Sequence, residues 1–352
     1  MIEAIRRVGE YAQKEGRSEL LNIFIENPNK TGRYKRVLLV VLNEVNGDYA
    51  FSRVELEDFK GEGYEKYLYK LGSKRGTDVT PTSKVAGNIE TTFQIKFLKW
   101  FENDAEYVLS EEEKERIRKM REAIEAQKDL ILSELKEKSS QMKKGENAII
   151  TLGIEKDGDT HYIADFPVFQ NILLQKGKEK YYYQKSKGLS VGKNSTCSVC
   201  KEKKEEVYGL AVPWTFHTFD KPGFIAGGFN FADSWKNTPV CFDCATCLEL
   251  GRKYVEEKLD FDFYGFRYLF IPKLTVKGDY DEILNILEDY KKEVKLNREV
   301  RSQITSDENE ILRHVAKERN FFNNNFLFYK IEQSAFRILL FIEGVLPSRL
   351  NA

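Results

Sequence analysis

All five cysteines of the chain fall into two short stretches, "CSVC" from Cys197 to Cys200 and "CFDCATC" from Cys241 to Cys247. A gap of two residues lets one tight turn aim two sulfurs at the same ion, about 2.3 Å away, and two such turns supply a tetrahedral zinc site. Cys197 and Cys200 therefore read as one knuckle, and Cys241 and Cys244 as the other. This constrains the fold strongly, because points about forty residues apart must meet. The segment between them is then an insertion with structure of its own, clamped at its base. The expected cofactor is a structural zinc, closed by four sulfurs, without the open position that a catalytic zinc keeps. Two alternatives share the spacing. "CxxCxxC" through Cys247 can feed an iron–sulfur cluster, although the Cys-Pro that usually follows is absent, and the thiols can also be metal-free core residues. Cys247 falls one helical turn beyond Cys244 in "TCLELGRKYVEEKL", the place of a buried thiol. His217, in "PWTFHTFD", is a candidate substitute for one sulfur and reads more simply as a packed side chain.

At 352 residues the chain is long enough for two or three structural units. Its 56 basic and 56 acidic side chains cancel, so any nucleic-acid site must be a local patch. The longest apolar runs, "VLLVVL" from Val37 and "ILLFI" from Ile338, fall far short of the roughly 20 residues that cross a bilayer. Ile2, Ile5, Val8 and Tyr11 lie at helical spacing among charges, which predicts an amphipathic helix and no signal peptide. A cytoplasmic protein without a membrane partner is expected, and clustered cysteines in that compartment favour metal over disulfides.

Asn46-Gly47 and Asp157-Gly158 each sit between apolar runs and predict two hairpins. Residues 90–141 turn helical, with Ile117, Met120, Ile124 and Leu130 on the inner face of the charged part. Beyond the cysteines, "FYGFRYLFIPKL" reads as a strand, "YDEILNILEDYKKEVK" as a helix, and "NFFNNNFLFYKIEQSAFRILLFIEGVLPSRL" as a strand leading into an apolar helix. The fold class is α+β: mixed antiparallel sheet and helices, an inserted zinc-ribbon-like module and a helical C-terminal end. The expected divisions are 1–145, an N-terminal α+β region; 146–190, hairpin, helix and basic stretch; 191–255, the zinc-binding insertion; and 256–352, a C-terminal α+β region. An apolar helix closing the sequence wants something to pack on, which reads as a chain cut from a longer one.

In "KGKEKYYYQKSKGLSVGKNS" six lysines, Lys176, Lys178, Lys180, Lys185, Lys187 and Lys193, face one acid, Glu179, with Tyr181, Tyr182 and Tyr183 between them. Ammonium groups beside aromatic faces suit a single strand, phosphates held by charge and bases by stacking. A strand whose lysines block edge pairing fits equally well. "TFDKPGFIAGGFNFADSW" sets Gly227, Gly228 and Asn230 among aromatics, either a loop whose backbone approaches a partner or a tight turn in a packed hairpin. Lys74 and Arg75 read first as part of a solvated loop. No phosphate-binding loop, dinucleotide fingerprint, HExxH, nucleophile elbow or nuclease carboxylate cluster occurs, so no catalytic residue is assigned and an enzyme is not expected.

The order of cysteine knuckles, the insertion "FHTFDKPGFIAGGF", the strand "FYGFRYLFIPKL" and the segment "FYKIEQSAFRILLFIEGVLPSRL" resembles one family, the large subunit of the type I-B CRISPR interference complex, Cascade. The likeness covers residues from Lys176 onward most clearly. It implies a non-enzymatic subunit that binds the 5′ handle of a guide RNA and recognises the protospacer-adjacent motif in target DNA. It also implies contact with the other Cascade subunits and recruitment of a separate helicase-nuclease. In such complexes guide pairing reads the target while protein reads the short flanking motif. The lysine and tyrosine stretch would follow a nucleic-acid backbone, and the glycine-rich loop would enter a groove. The residues alone also allow a free-standing zinc-ribbon nucleic-acid-binding protein, or a metal-dependent nuclease.

Overall fold

The structure, a computed structural model, describes residues 1–14, 20–72, 76–85, 87–102, 107–214, 216, 230–263, 265–274, 284, 322–332, 335–346 and 349. The chain divides into two compact units, Phe24–Glu179 and a second made of Met1–Ile23 with Lys180–Ala352. The N-terminal helix α1 (Ile2–Lys14) belongs to the second, and Ile5, Val8 and Tyr11 are buried as their spacing predicts.

The Phe24–Glu179 unit is organised by the apolar run from Val37. Strand β1 (Tyr34–Val45) turns back into β2 (Asp48–Asp58) at Asn46-Gly47, with φ of 52° and 82°. Both residues are thus left-handed, as the two-residue hairpin turn requires. On its other side β1 pairs in parallel with β4 (Asn147–Lys156), giving the order β2-β1-β4-β3, where β3 is Ser83–Lys84 and β5 (Asp159–Tyr162) also pairs with β4. Val37 to Leu42 are all fully buried. An unbroken buried run marks a strand covered on both faces. Around α2 (Ile89–Thr92) and the π-turn Phe93–Leu98, Phe93, Phe97, Trp100 and Phe101 form a ring cluster that reaches Phe169. Helix α3 (Glu111–Ala126) starts at Ser110, whose side chain and that of Glu113 cap each other's backbone amides.

Helices α3 and α4 (Lys128–Ser140) pack on β2. Ile117, Met120 and Ile124 face inward as expected, but Leu130 is exposed, and Ile131 and Leu135 are buried instead. The helix breaks at Gln127, and the restart shifts the inner face by one position. Helix α5 (Pro167–Glu179) closes the unit.

In the second unit, β6 (Tyr183–Gln184) with β7 (Gly188–Leu189) and β8 (Val191–Thr196) with β9 (Lys203–Tyr208) form two antiparallel pairs. Helix α6 (Phe242–Lys258) packs on α1. A Cβ at Gly9 would lie 1.8 Å from the Cys247 carbonyl oxygen, and one at Gly251 would lie 1.9 Å from that of Ile5, so only two glycines let these backbones touch. Strands β10 (Asp260–Phe263), β11 (Phe266–Leu274), β12 (Phe322–Glu332) and β13 (Ala335–Val345) make an antiparallel sheet in that order. Two fully buried amides tie it together. Asn325 donates to the Ile271 carbonyl and Asn324 to that of Val345, both at 3.0 Å, while the Gly344 amide donates to Asn325 Oδ1 at 2.9 Å.

Mixed helices and sheets are present as the α+β reading requires, with one correction at the C-terminal end. Residues 335–345, expected as an apolar helix, are strand β13, paired with β12 from Glu332↔Ala335 to Asn324↔Val345. A short continuous apolar run looks the same in a buried helix and in a strand, and here β12 supplies the pairing that decides. The helix expected over 280–295 lies outside the described residues except at Leu284, as do Lys74, Arg75, His217, Gly227 and Gly228.

Candidate functional site

The first cysteine pair occupies the turn between β8 and β9. The Cys197 amide donates to the Glu202 carbonyl at 2.9 Å and the Lys201 amide to the Cys197 carbonyl at 3.0 Å, with Lys201 left-handed at φ 65°. The second pair opens α6. Cys241 is its N-cap residue, and Cys244 follows within the first turn. Backbone bonds hold the two pieces together: Ser198 donates from its amide and hydroxyl to the Pro239 carbonyl at 2.7 and 2.9 Å, and Tyr208 and Val240 exchange amide bonds at 2.8 and 3.2 Å. The result gathers the Sγ atoms of Cys197, Cys200, Cys241 and Cys244 within 4.8 Å of one another, with Cys200 and Cys241 4.0 Å apart. Sulfurs on a tetrahedral zinc would be about 3.8 Å apart, given bonds of about 2.3 Å.

The donor set fits a soft divalent metal. Four thiols this close cannot all ionise alone. Cys197 is held far below the ordinary thiol range because the Cys241 and Cys244 thiols hydrogen-bond to it, and donating those bonds in turn pushes Cys241 up to about 12 and Cys244 higher still. The Cys197 sulfur also accepts from the amides of Val199 and Cys241 at 3.4 and 3.3 Å. Aimed amides and the positive end of α6 favour thiolate, and a divalent cation would extend that state to all four. Arg6 of α1, paired with Glu10 at 2.5 Å, adds positive charge; burial lowers its pKa, but Glu10 and the Cys244 sulfur outweigh this and leave it raised. Nothing in the spacing of "IRRVGE" announced that role. Cys247 stands outside the four, buried in α6, its thiol 3.8 Å from Gln13 Oε1 and pushed up by burial to about 11.

The residues read as a nucleic-acid face are distributed over several elements. Lys176 and Lys178 lie in the last turn of α5, in the Phe24–Glu179 unit, and Lys176 pairs with Glu179 at 3.0 Å. The others lie in the second unit. Lys180 is committed to Glu249, which also accepts from the Tyr181 hydroxyl at 2.7 Å. Tyr182 packs on Tyr208 with centroids 5.4 Å apart. Lys185 is exposed in the turn between β6 and β7 and Lys193 on β8, neither with an ion pair among the described residues, while Lys187 stands over Phe231 at 5.5 Å. Asn230 caps the short 3-10 helix Phe231–Lys236 by accepting from the Ala232 amide at 3.2 Å.

A feature not foreseen is a cavity of about 490 Å³ in the second unit, lined by Trp214, Phe336 and the charged set Lys180, Glu249, Arg252 and Glu256. Glu249 is half-buried, yet its carboxyl stays below the usual range: burial raises it, and Lys180 and the Tyr181 hydroxyl more than reverse this. Its partners are about seventy residues away in sequence, which hides the network from any local pattern.

Two family models match the chain. The N-terminal domain of CRISPR-associated protein TM1802 matches residues 1–175, and the central domain of the same protein matches residues 194–345. A search of curated proteins gave no match.

Proposed function

Since the chain belongs to the CRISPR-associated TM1802 family, two of whose domains span most of it, we propose that it is the non-catalytic large subunit of a type I-B interference complex, Cascade. In this reading it binds the guide RNA's 5′ handle, recognises the protospacer-adjacent motif in target DNA, contacts the other subunits and recruits the helicase-nuclease. The observation that carries it is the pair of family matches. The four-cysteine cluster supports a structural zinc at Cys197, Cys200, Cys241 and Cys244, which would clamp the 191–255 module. That zinc would act as a cross-link, holding the mouth of the insertion in place.

Nucleic acid would be met by exposed Lys185 and Lys193, with Lys187, Tyr182 and Asn230 as further contacts; Gly227 and Gly228, which lie outside the described residues, remain contacts proposed from the sequence. Lys176 and Lys178 would offer contacts of their own on the Phe24–Glu179 unit, and Lys180 would add one on the second unit by exchanging Glu249 for a phosphate. The isolated chain, and then the chain assembled with a guide RNA and partner subunits, should be titrated with duplex DNA bearing or lacking a flanking motif. Motif-dependent retention only in the guide-containing assembly is expected. Equal binding by the chain alone would favour a free-standing zinc-ribbon protein, and magnesium-dependent cleavage by the chain alone would make it a nuclease.

A further inference from the structure

Several partly buried lysines of the Phe24–Glu179 unit pair with carboxylates. Lys70 meets Glu26 at 3.8 Å, Lys96 meets Asp78 at 3.2 Å, and Lys119 meets Asp48 at 2.7 Å. Lys66 and Lys84 depart from that pattern. Both are half-buried, neither has a carboxylate at ion-pair distance among the described residues, and each ammonium stands over tyrosine rings instead. Lys66 Nζ lies 3.7 Å from the Tyr162 centroid and 5.0 Å from that of Tyr67, and Lys84 Nζ lies 5.1 Å from both Tyr34 and Tyr69. Burial holds both ammoniums below the ordinary lysine range; Glu57 and Asp165 act on Lys66, and Glu26 and Asp78 on Lys84, from too far to reverse it.

Three of these four rings, all but Tyr69, belong to one patch. Tyr34, Phe59, Tyr64 and Tyr162 are partly buried against the cluster of Val37, Tyr67 and Ile149, and Phe59 stacks on Tyr67 at 5.8 Å. Glu57, the first acid acting on Lys66, accepts from the Tyr162 hydroxyl at 2.9 Å. Lys30, Arg33, Lys35 and Lys60 are exposed beside these rings in the chain. Two cations taken partly out of water and left with only ring faces form an electrostatically incomplete site, which an incoming anion completes. An acidic peptide would use the ammoniums and leave the ring patch idle. A nucleic-acid strand uses both, phosphates on the lysines and bases on the rings.

We propose that this face of the Phe24–Glu179 unit, centred on Lys66 and Lys84, binds a single-stranded phosphodiester chain. It uses no residue of the Lys176–Lys193 stretch, so it stands or falls separately.

The test uses the full chain and short fluorescent single-stranded RNA and DNA oligonucleotides, titrated by anisotropy over a range of salt. Lys66→Gln with Lys84→Gln should weaken binding about tenfold or more at low salt and make the log–log salt slope shallower by about 1.4, from two phosphates at roughly 0.7 each. Lys66→Arg with Lys84→Arg should keep the slope. Tighter binding of RNA or of DNA identifies which strand the face takes. An unchanged slope in the glutamine pair, or displacement of the strand by poly-glutamate as readily as by unlabelled oligonucleotide, would overturn the proposal. A photo-crosslinkable oligonucleotide on the unaltered chain decides the matter without any variant: adducts at Tyr34, Tyr64 or Tyr162 support it, and adducts confined to other residues refute it. Lys185→Glu with Lys193→Glu reports on the other stretch alone, so the failure of one reading is distinguishable from the failure of the other.

Discussion

In the Phe24–Glu179 unit six successive residues, Val37 to Leu42, are fully buried; around Cys197 and Cys241 buried thiols and turning backbone stand among a few apolar side chains such as Val207 and Val240. The first region derives its stability from area removed from water, spread over many contacts. The second would concentrate it at one point if a metal joins the four sulfurs that converge there from segments about forty residues apart. A distributed core loses a little with each change, whereas a convergent one keeps or loses its organisation as a whole.

The largest effect should come from breaking the convergent point. Cys197→Ser, or a strong chelator, should release one metal per chain and destabilise the second unit by on the order of 5 kcal/mol or more, since binding energy at a structural zinc is folding energy. Hydrogen exchange should show amides of 191–208 and 240–250 losing protection while those of β1 and β4 keep theirs. Loss in both regions alike would erase the contrast. Acid should mimic the chelator, because the thiols must shed their protons to bind metal and regain them as pH falls.

Next in size is Leu39→Ala, a cavity in the fully buried centre of β1 that should cost about 3 to 4 kcal/mol with the metal retained. Gly251→Val is comparable, at about 3 kcal/mol, because its side chain would meet the Ile5 carbonyl where α1 and α6 touch. A metal content unchanged by Gly251→Val would show that the α1–α6 contact and the cysteine cluster are organised independently; partial metal loss would couple them.

Glu249→Gln should cost about 2 kcal/mol, by removing the carboxylate that both the Lys180 ammonium and the Tyr181 hydroxyl meet. The Glu249 carboxyl is lowered in the folded chain, so its contribution is complete above the unfolded carboxylate value of about 4.3 and is lost as pH falls through the folded one. Acid melts of parent and variant should therefore converge at low pH. The smallest effect is Ser110→Ala, about 1 kcal/mol, confined to the start of α3. It sharpens the comparison by showing what one local bond contributes beside one convergent site.

The sequence announced whatever was local. Asn46-Gly47 and Asp157-Gly158 turn as their residues dictate, and the two-residue cysteine gaps place four sulfurs together because a turn of that length has few options. It concealed what depends on distant pairing. The β1–β4 contact is parallel and bridges over a hundred residues, so no turn signal marks it. Residues 335–345 carry no periodicity that separates helix from strand, and their pairing rests on Asn324 and Asn325 in the neighbouring strand. The lysines of 176–193 read as one face because they are adjacent in the chain, yet a helix end, a small hairpin and an ion pair to Glu249 assign them different surroundings.

The exchange of amide bonds between Tyr208 and Val240 has a consequence for how such a chain can vary. It brings the two ends of the segment between them side by side, and the cysteine cluster lies just outside that junction. Closing a longer segment over the same junction adds only about 0.6 kcal/mol per doubling of length. The length of chain between Tyr208 and Val240 can therefore change while the socket that receives its two ends stays unchanged.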